Sequence, residues 1–241
     1  MNDTLSVVIP TYKESENIRI LIPKIEQEMH NINKEGEIII VDDNSEDGIV
    51  DIVETQNALY HNINLIIRKG TRGIASAWLE GIRACRGEEI VIMDADLCHN
   101  PIYFQPMLEV LNIYDMVIGS RYMSEHKVRM ENKSFIAVFL SQLGQVLSRW
   151  VLRLNQSDMS HSFRMFRREV FIRVGDDLCF NGNVMMIEFT YRATCAGFRI
   201  TEVPIIYEKR KFGKTKLNVL SQGLLFIKAL FYLRFLDRKE I

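Results

Sequence analysis

Glu89-Ile90-Val91-Ile92-Met93-Asp94-Ala95-Asp96 is the stretch on which the fold turns. Its apolar middle reads as a strand buried on both faces, and it ends on two carboxylates one residue apart. An open α/β sheet binds its ligand beyond the carboxyl ends of its strands. Carboxylates two positions apart in an extended segment can point the same way. They then offer hard oxygen ligands to Mg²⁺ or Mn²⁺, an ion able to bridge a nucleotide diphosphate. A solvated turn ending a strand produces the same triplet, so the rest of the chain decides between the two.

Working outward, short β-branched runs at 5–10, 38–41, 63–67, 116–118 and 200–206 read as further strands. Segments 14–31, 48–58, 74–84 and 102–111 between them carry helical spacing, and 132–154 reads as one long helix. Strand alternating with helix predicts an α/β domain with a Rossmann-like, doubly wound, mostly parallel sheet and helices on both faces. Polar residues then gather on one rim. Pro10, Tyr12 and Glu14 follow the first strand, Asp42 and Asp43 the second, and Asp94 and Asp96 the fourth. Singly each is explained by a turn or a helix cap. Acids at the same end of several strands suit a nucleotide-sugar site, where carboxylates accept from base or ribose and a metal offsets the diphosphate.

Composition narrows the class. A chain of 241 residues can bury one sizeable core. It divides on this reading into a domain at 1–218 and an apolar, basic helix at 219–241 that meets a membrane surface or a partner. With 30 Lys+Arg against 31 Asp+Glu the net charge is −1, which argues against nucleic acid as a partner. The four cysteines (Cys85, Cys98, Cys179, Cys195) are widely spaced, arguing against disulfides and structural zinc and for a cytoplasmic setting. No stretch reaches the ~18 to 20 apolar residues that span a bilayer. Segment 219–236 is nevertheless dense in Leu and Phe, interrupted by Lys228 and Arg234. It reads equally as a core-covering helix or as one lying on a membrane surface.

Several motifs in order carry a family resemblance. They are Val7-Val8-Ile9-Pro10-Thr11-Tyr12-Lys13-Glu14, the run Ile40 to Gly48 containing Asp42-Asp43-Asn44-Ser45, Met93 to Asp96, Gly119-Ser120-Arg121-Tyr122, and Phe212-Gly213-Lys214-Thr215-Lys216. Together they resemble the family 2 glycosyltransferases, and within them the dolichol-phosphate mannose synthase group and related polyprenyl-phosphate sugar transferases. The resemblance implies a GT-A fold, Mg²⁺ or Mn²⁺, and a nucleoside-diphosphate sugar donor, with GDP-mannose favoured over a UDP-sugar. It also implies a polyprenyl (dolichyl) phosphate acceptor. The protein would then be peripheral at the cytoplasmic membrane face, with a membrane-bound partner subunit possible.

Position by position, the resemblance places Pro10, Tyr12, Glu14, Asp42 and Asp43 around the nucleoside. Asp94, Ala95 and Asp96 sit at the diphosphate, with Asp94 and Asp96 on the metal. Lys69 and Arg72 lie in a basic stretch near the donor, which also reads as a solvated turn. Arg210, Lys214 and Lys216 belong to a basic loop that neutralises phosphate charge. Arg121 matches an arginine near the acceptor phosphate, where a guanidinium fork suits phosphate oxygens; Arg129, Lys133 and Ser141 are the nearest further candidates. Asp158 precedes a Ser-Phe-Arg element and completes the catalytic set of Asp94, Asp96, Arg121 and Asp158. Two features depart from the family pattern. Cys98 stands where some members carry a metal-binding Gln, and a soft sulfur suits Mg²⁺ or Mn²⁺ poorly. Segment 122–141 lacks clustered Lys and Arg. His99 reads as a structural or donor-side hydrogen-bonding residue.

A lipid phosphate is already an anionic nucleophile, so its attack on the anomeric carbon needs alignment and charge management in place of a base. A single displacement inverts the anomeric configuration. A hydroxyl acceptor, as in surface polysaccharide or glycolipid synthesis, would instead require a base such as Asp158 or Glu188. A third reading is a non-catalytic nucleotide-sugar-binding subunit.

Overall fold

The computed structural model describes residues 4–70, 72–123, 135–207 and 219–236. Seven strands form one sheet in the order β3-β2-β1-β4-β6-β5-β7. They are β1 (Thr4–Thr11), β2 (Glu35–Asp42), β3 (Ile63–Ile67), β4 (Glu89–Ile92), β5 (Met116–Ser120), β6 (Arg164–Arg167) and β7 (Ile200–Pro204). The pairs β1–β2, β2–β3, β1–β4 and β5–β7 are parallel, and β6 alone runs antiparallel to its neighbours β4 and β5. The sheet is thus mixed and mostly parallel, as the alternation of elements implies.

The strands alternate their side chains between two cores, as the period of two requires. Leu5, Val7, Ile9, Ile38, Ile40, Val91 and Met93 face one core. There they meet α1 (Ser15–Asn31), α2 (Ile49–Tyr60) and α4 (Phe104–Leu111), the last preceded by a 3₁₀ turn at Pro101–Tyr103. Val8, Ile39, Val41, Ile90 and Ile92 face the other, under α3 (Ile74–Ala84), α6 (Arg168–Val174) and α7 (Val184–Cys195). Burial on both faces explains why β1, β2 and β4 are continuous apolar runs. α3 lies so close to the sheet that a Cβ on Gly81 would meet Val8 Cγ1 at 2.4 Å, which only glycine avoids.

A third core joins α7 to α5 (Phe135–Leu152) and α8 (Val219–Phe231) through Leu152, Met159, Ile187, Ala229, Leu230 and Leu233. A short π-helical turn, Tyr232–Leu236, continues α8. Helices α6 and α7 and strand β6 have no counterpart in the sequence reading. Nearly every residue of α7 is buried, from Val184 to Tyr191, so it shows no polar face and no amphipathic period.

The chain runs β1, β2, β3 outward in one direction, then returns to place β4 on the far side of β1. The point where the order reverses, between β1 and β4, is the crevice where such sheets bind ligands. Because β6 is antiparallel, the residues just before it, 157–163, arrive at the same rim as the carboxyl ends of β4 and β5.

Candidate functional site

The rim at the carboxyl ends of β1, β2 and β4 is built from strained turns. Lys13 (φ 58°), Asn44 (φ 56°), Glu46 (φ 52°) and Leu97 (φ 63°) all occupy the left-handed region. Non-glycine residues there cost energy and concentrate where surrounding structure holds them for function.

After β1 and β2, the acids are tied into the fold. Asp42 accepts from the Ser45 amide at 2.8 Å and from the Ser45 hydroxyl, and Ser45 Oγ in turn accepts from the Lys13 amide at 2.7 Å. Asp43 accepts from Arg68 Nε at 2.7 Å and from the Gly73 amide at 2.8 Å. Arg68 is buried, and also donates to Ser76 Oγ and the Gly73 carbonyl. The two aspartates thereby lock three loops together, and Arg68, not among the site candidates read from the sequence, is the counter-charge of Asp43. Glu14 accepts from Asn17 Nδ2 at 2.5 Å. Tyr12 is half-buried, and the Arg72 guanidinium sits 4.9 Å above its ring, a stacking geometry favourable to a cation. Lys69 is exposed.

Beyond β4, Asp94 and Asp96 stand on a tight turn through Leu97. Asp96 Oδ1 accepts from the Cys98 amide at 3.0 Å and Asp94 Oδ2 from Ser162 Oγ at 2.9 Å. His99 Nδ1 accepts from the Asp94 amide at 2.9 Å. Two carboxylates form an all-oxygen donor set at the switch point, and that chemistry fits Mg²⁺ or Mn²⁺. Among the described residues no group of three or more His, Cys, Asp or Glu side chains is arranged to hold a metal. Mg²⁺ characteristically takes one or two carboxylates and completes its shell with substrate phosphate and water. Ala95, between the two acids, and Cys98, after them, are buried.

Across the rim, Arg121 donates Nε and Nη2 to the two oxygens of Asp158, each at 2.8 Å. Asp158 is fully buried and also receives the Arg121 amide at 3.1 Å and Gln145 Nε2 at 3.4 Å. Glu202 on β7 secures this turn by accepting from the Ser157 and Asp158 amides at 2.7 and 2.8 Å. Burial works against the Arg121 cation, but the bonds and charge of Asp158 outweigh it and hold its pKa above the usual arginine value. Tyr207 closes the space between the two halves. Its ring lies 5.6 Å from the Arg121 guanidinium and 5.7 Å from the rings of both His99 and His161. Burial, then the neighbouring Asp96, Cys98 and Asp94, push its phenol far up, so it stays protonated.

Arg164, at the start of β6, is wholly buried and donates to the carbonyls of Met159, His161 and Met186. Burial, partly offset by Asp158, brings its pKa down to about 9. It clamps the 158–162 turn against α7. The structure therefore brings Tyr12, Glu14, Asp42, Asp43, Arg72, Asp94, Asp96, Arg121 and Asp158 to one rim, with Pro10 in β1 beneath it. Arg129, Lys133, Arg210, Lys214 and Lys216, and the side chain of Ser141 on α5, lie outside the described residues. Sequence reasoning missed Arg68, Gln145, His161, Ser162, Arg164, Glu202 and Tyr207 as members of this assembly. Only a partner brought close by the antiparallel β6 gives most of them a role.

Comparison with known proteins bears on the chain and its fold. The chain is 29% identical over 215 residues to an undecaprenyl-phosphate mannosyltransferase of Micrococcus luteus, covering 88% of this chain and 86% of that protein. It is 30% identical over 218 residues to a polyprenol monophosphomannose synthase of Mycolicibacterium smegmatis, covering 88% and 80%. Glucosyl-3-phosphoglycerate synthase from Mycobacterium tuberculosis, crystallised with Mg²⁺ and uridine diphosphate, superposes with a TM-score of 0.71 at 15% identity over 96% of this chain and 79% of that one. The same enzyme with Mn²⁺, uridine diphosphate and phosphoglyceric acid gives 0.70. At that identity the likeness speaks to a shared GT-A fold. The model of glycosyl transferase family 2 matches residues 6–175, and the chain belongs to that family.

Proposed function

We propose that this glycosyltransferase is metal-dependent and inverting, moving a sugar, mannose in the first instance, from a nucleoside-diphosphate donor such as GDP-mannose to a polyprenyl phosphate. The observation that carries the proposal is the division of the rim. Carboxylates Asp94 and Asp96 stand on one side, and across Tyr207 the guanidinium of Arg121 stands on the other. The names of the two relatives, a polyprenyl-phosphate mannosyltransferase and a polyprenol monophosphomannose synthase, support the sugar and the acceptor.

Asp94 and Asp96 are assigned to the metal and diphosphate, with Ser162 and the Cys98 amide fixing their rotamers. A divalent ion bound there supplies positive charge to the departing diphosphate. Tyr12 and Arg72 are assigned to the nucleoside side, and Pro10, Glu14, Asp42, Asp43 and Lys69 to shaping its pocket. Arg210, Lys214 and Lys216 keep their assignment to phosphate charge, and Arg129, Lys133 and Ser141 theirs to the acceptor. Arg121 spends Nε and Nη2 on Asp158 while the Tyr122 and Tyr207 rings lie 5.8 and 5.6 Å from its guanidinium; among the described residues no hydrogen bond engages Nη1, and that nitrogen is assigned to the incoming phosphate. Asp158 is assigned to orienting Arg121. Attack by a lipid phosphate needs no proton removed, and alignment of the two anionic groups is the main requirement. The hydroxyl-acceptor reading needs a base, and both carboxylates available to it are occupied. Asp158 is bonded to Arg121, and the fully buried Glu188 accepts from the Cys179 and Phe180 amides and Arg192 Nε at 2.9 to 3.0 Å.

Access to a lipid acceptor places the protein at a membrane surface, and the α5–α8 face supports this. Leu143, Val146 and Trp150 on α5, and Ile227, Phe231 and Phe235 on α8 and its π turn, are exposed, with Arg149 and Lys228 exposed among them. Apolar stripes with interleaved basic residues fit an anionic interface. Among the described residues no helix is long and apolar enough to cross a membrane. On this reading 1–218 is the catalytic unit and 219–241 adds to the interfacial face while its other side completes the core.

The test is an acceptor comparison: labelled GDP-mannose with Mg²⁺ or Mn²⁺, offered a short polyprenyl phosphate or the matching polyprenol. Product on the phosphate alone supports the proposal. Product on the alcohol would move the assignment to a base-requiring mechanism.

A further inference from the structure

Two of the chain's five histidines meet in the interior, where His99 Nε2 lies 3.1 Å from His161 Nε2. The other nitrogen of each ring decides where the protons are. His99 Nδ1 faces the Asp94 amide, which can only donate, so that nitrogen is bare. His161 Nδ1 lies 2.7 Å from the Gly119 carbonyl, which can only accept, so that nitrogen carries hydrogen. His99, neutral in its Nε2–H form, therefore donates to the bare Nε2 of His161. The bonds run in one direction, from the Asp94 amide through both imidazoles to the Gly119 carbonyl.

The surroundings hold this arrangement. Phe163 stacks on His99 with ring centroids 5.0 Å apart, and Tyr207 sets its edge to both imidazoles. Both rings are buried. The bonds themselves leave one hydrogen on each ring, so both are neutral, and for His161 burial and the nearby Arg121 charge push the pKa down as well.

The position of the pair gives it a task. β4 and β5 are not neighbours; β6 lies between them, and its ladder ends where Arg164 pairs with Ile92 and Ile118. Past that register no β-ladder joins the two strand ends, although the segment leading into β6 still reaches each singly: Phe163 O accepts from the Gly119 amide at 2.9 Å and Ser162 Oγ donates to Asp94 Oδ2 at 2.9 Å. The histidines span this gap, from Asp94 at the end of β4 to Gly119, two residues before Arg121, at the end of β5.

We infer that His161 is a positioning residue that, through His99, fixes the Asp94 end of β4 against the Gly119–Arg121 end of β5. The inference rests on the proposed reaction, in which Asp94 serves the leaving diphosphate and Arg121 the attacking phosphate. An in-line displacement is sensitive to that spacing, because misplacement by about 1 Å can cost on the order of 100-fold in rate.

Two measurements on the full chain test it. In ¹⁵N-labelled protein at pH 7, His99 should show the Nε2–H tautomer and His161 the Nδ1–H tautomer, with a through-bond ¹⁵N–¹⁵N coupling between the two Nε2 atoms. Two like tautomers, or no coupling, would overturn the pair. His161→Asn keeps an amide near Nδ1 for the Gly119 carbonyl but removes the acceptor for His99. Its kcat should fall by about 10- to 100-fold, with KM for donor and for lipid phosphate each within about threefold of the parent. An unchanged kcat, or a rise in both KM values together with a lowered melting temperature, would overturn the positioning role. Failure of the reaction reading shows separately, as absence of lipid product from the parent protein while the tautomers and coupling are as stated.

Discussion

Arg121 and Asp158 form a two-pronged ion pair at the sheet's carboxyl rim, two 2.8 Å bonds joining a guanidinium that is one-fifth exposed to a carboxylate with no exposed surface. The pair sets both the direction and the rigidity of the arginine. Arg121→Ala should raise KM for a polyprenyl phosphate by at least about tenfold, equivalent to one charge-assisted hydrogen bond, with donor binding changed much less. Equal loss of both would mark Arg121 as structural. Asp158→Ala leaves the buried part of Arg121 without its counter-charge and should destabilise the fold by about 3–5 kcal/mol, read from denaturant midpoints.

Asp96→Ala removes one of the two carboxylates assigned to the metal. It should abolish transfer and the Mg²⁺- or Mn²⁺-dependent tightening of donor binding, with the circular-dichroism spectrum and melting temperature close to the parent's. A variant that kept its activity would remove the metal assignment.

Acid should weaken the fold through His161. The charged and titratable groups facing it are Arg121, His99, Arg164 and Tyr207; burial first, then Arg121, His99 and Arg164, lower its pKa in the folded state. An unfolded histidine titrates near ~6.5, so below that pH the unfolded chain takes up a proton that the folded chain refuses. The contribution is fully present above pH ~6.5 and is lost as pH falls, at up to about 1.4 kcal/mol per pH unit for one proton. Urea midpoints at pH 7.5 and 5.5 measure it, and His161→Asn should flatten the slope.

The exposed side of α8 can be tested without disturbing its buried side. Ala229, Leu230 and Leu233 are in the core, so deleting the helix would unfold the chain. Phe231→Ser with Phe235→Ser changes only residues that are about 60% exposed. The pair should lower binding to anionic phosphatidylglycerol vesicles by at least about tenfold, from the apolar area withdrawn, with little change in melting temperature. Unchanged binding would remove the membrane role of this face.

The core strands were legible because burial on both faces writes itself as an unbroken apolar run. Runs 5–10 and 38–41 fall inside β1 and β2, and 90–93 marks β4 with the acids after it. The turn acids at 42, 43, 94 and 96 were legible because strand ends are punctuated by polar residues. β6 was not, since four residues beginning and ending in arginine show no period, and Arg164 is buried by bonding carbonyls, which no pattern reveals. α7 was missed because a helix buried on every side has no polar stripe. The partners of the predicted site residues, among them Arg68 for Asp43, Ser162 for Asp94 and Glu202 for the Asp158 turn, depend on chain crossings that a linear pattern does not contain. Asp42 and Asp43 were read from the sequence as groups facing a nucleoside, whereas the folded chain has both already bonded to neighbouring loops.

The central claim is tested most directly by offering the protein labelled GDP- and UDP-sugars with Mg²⁺ or Mn²⁺ and a short polyprenyl phosphate, beside the Asp96→Ala variant. The account predicts a lipid-linked sugar, formed from GDP-mannose with inversion, that disappears on chelation and in the variant. Lipid-linked product that persists in Asp96→Ala, or donor turnover with no lipid-linked product, would contradict it.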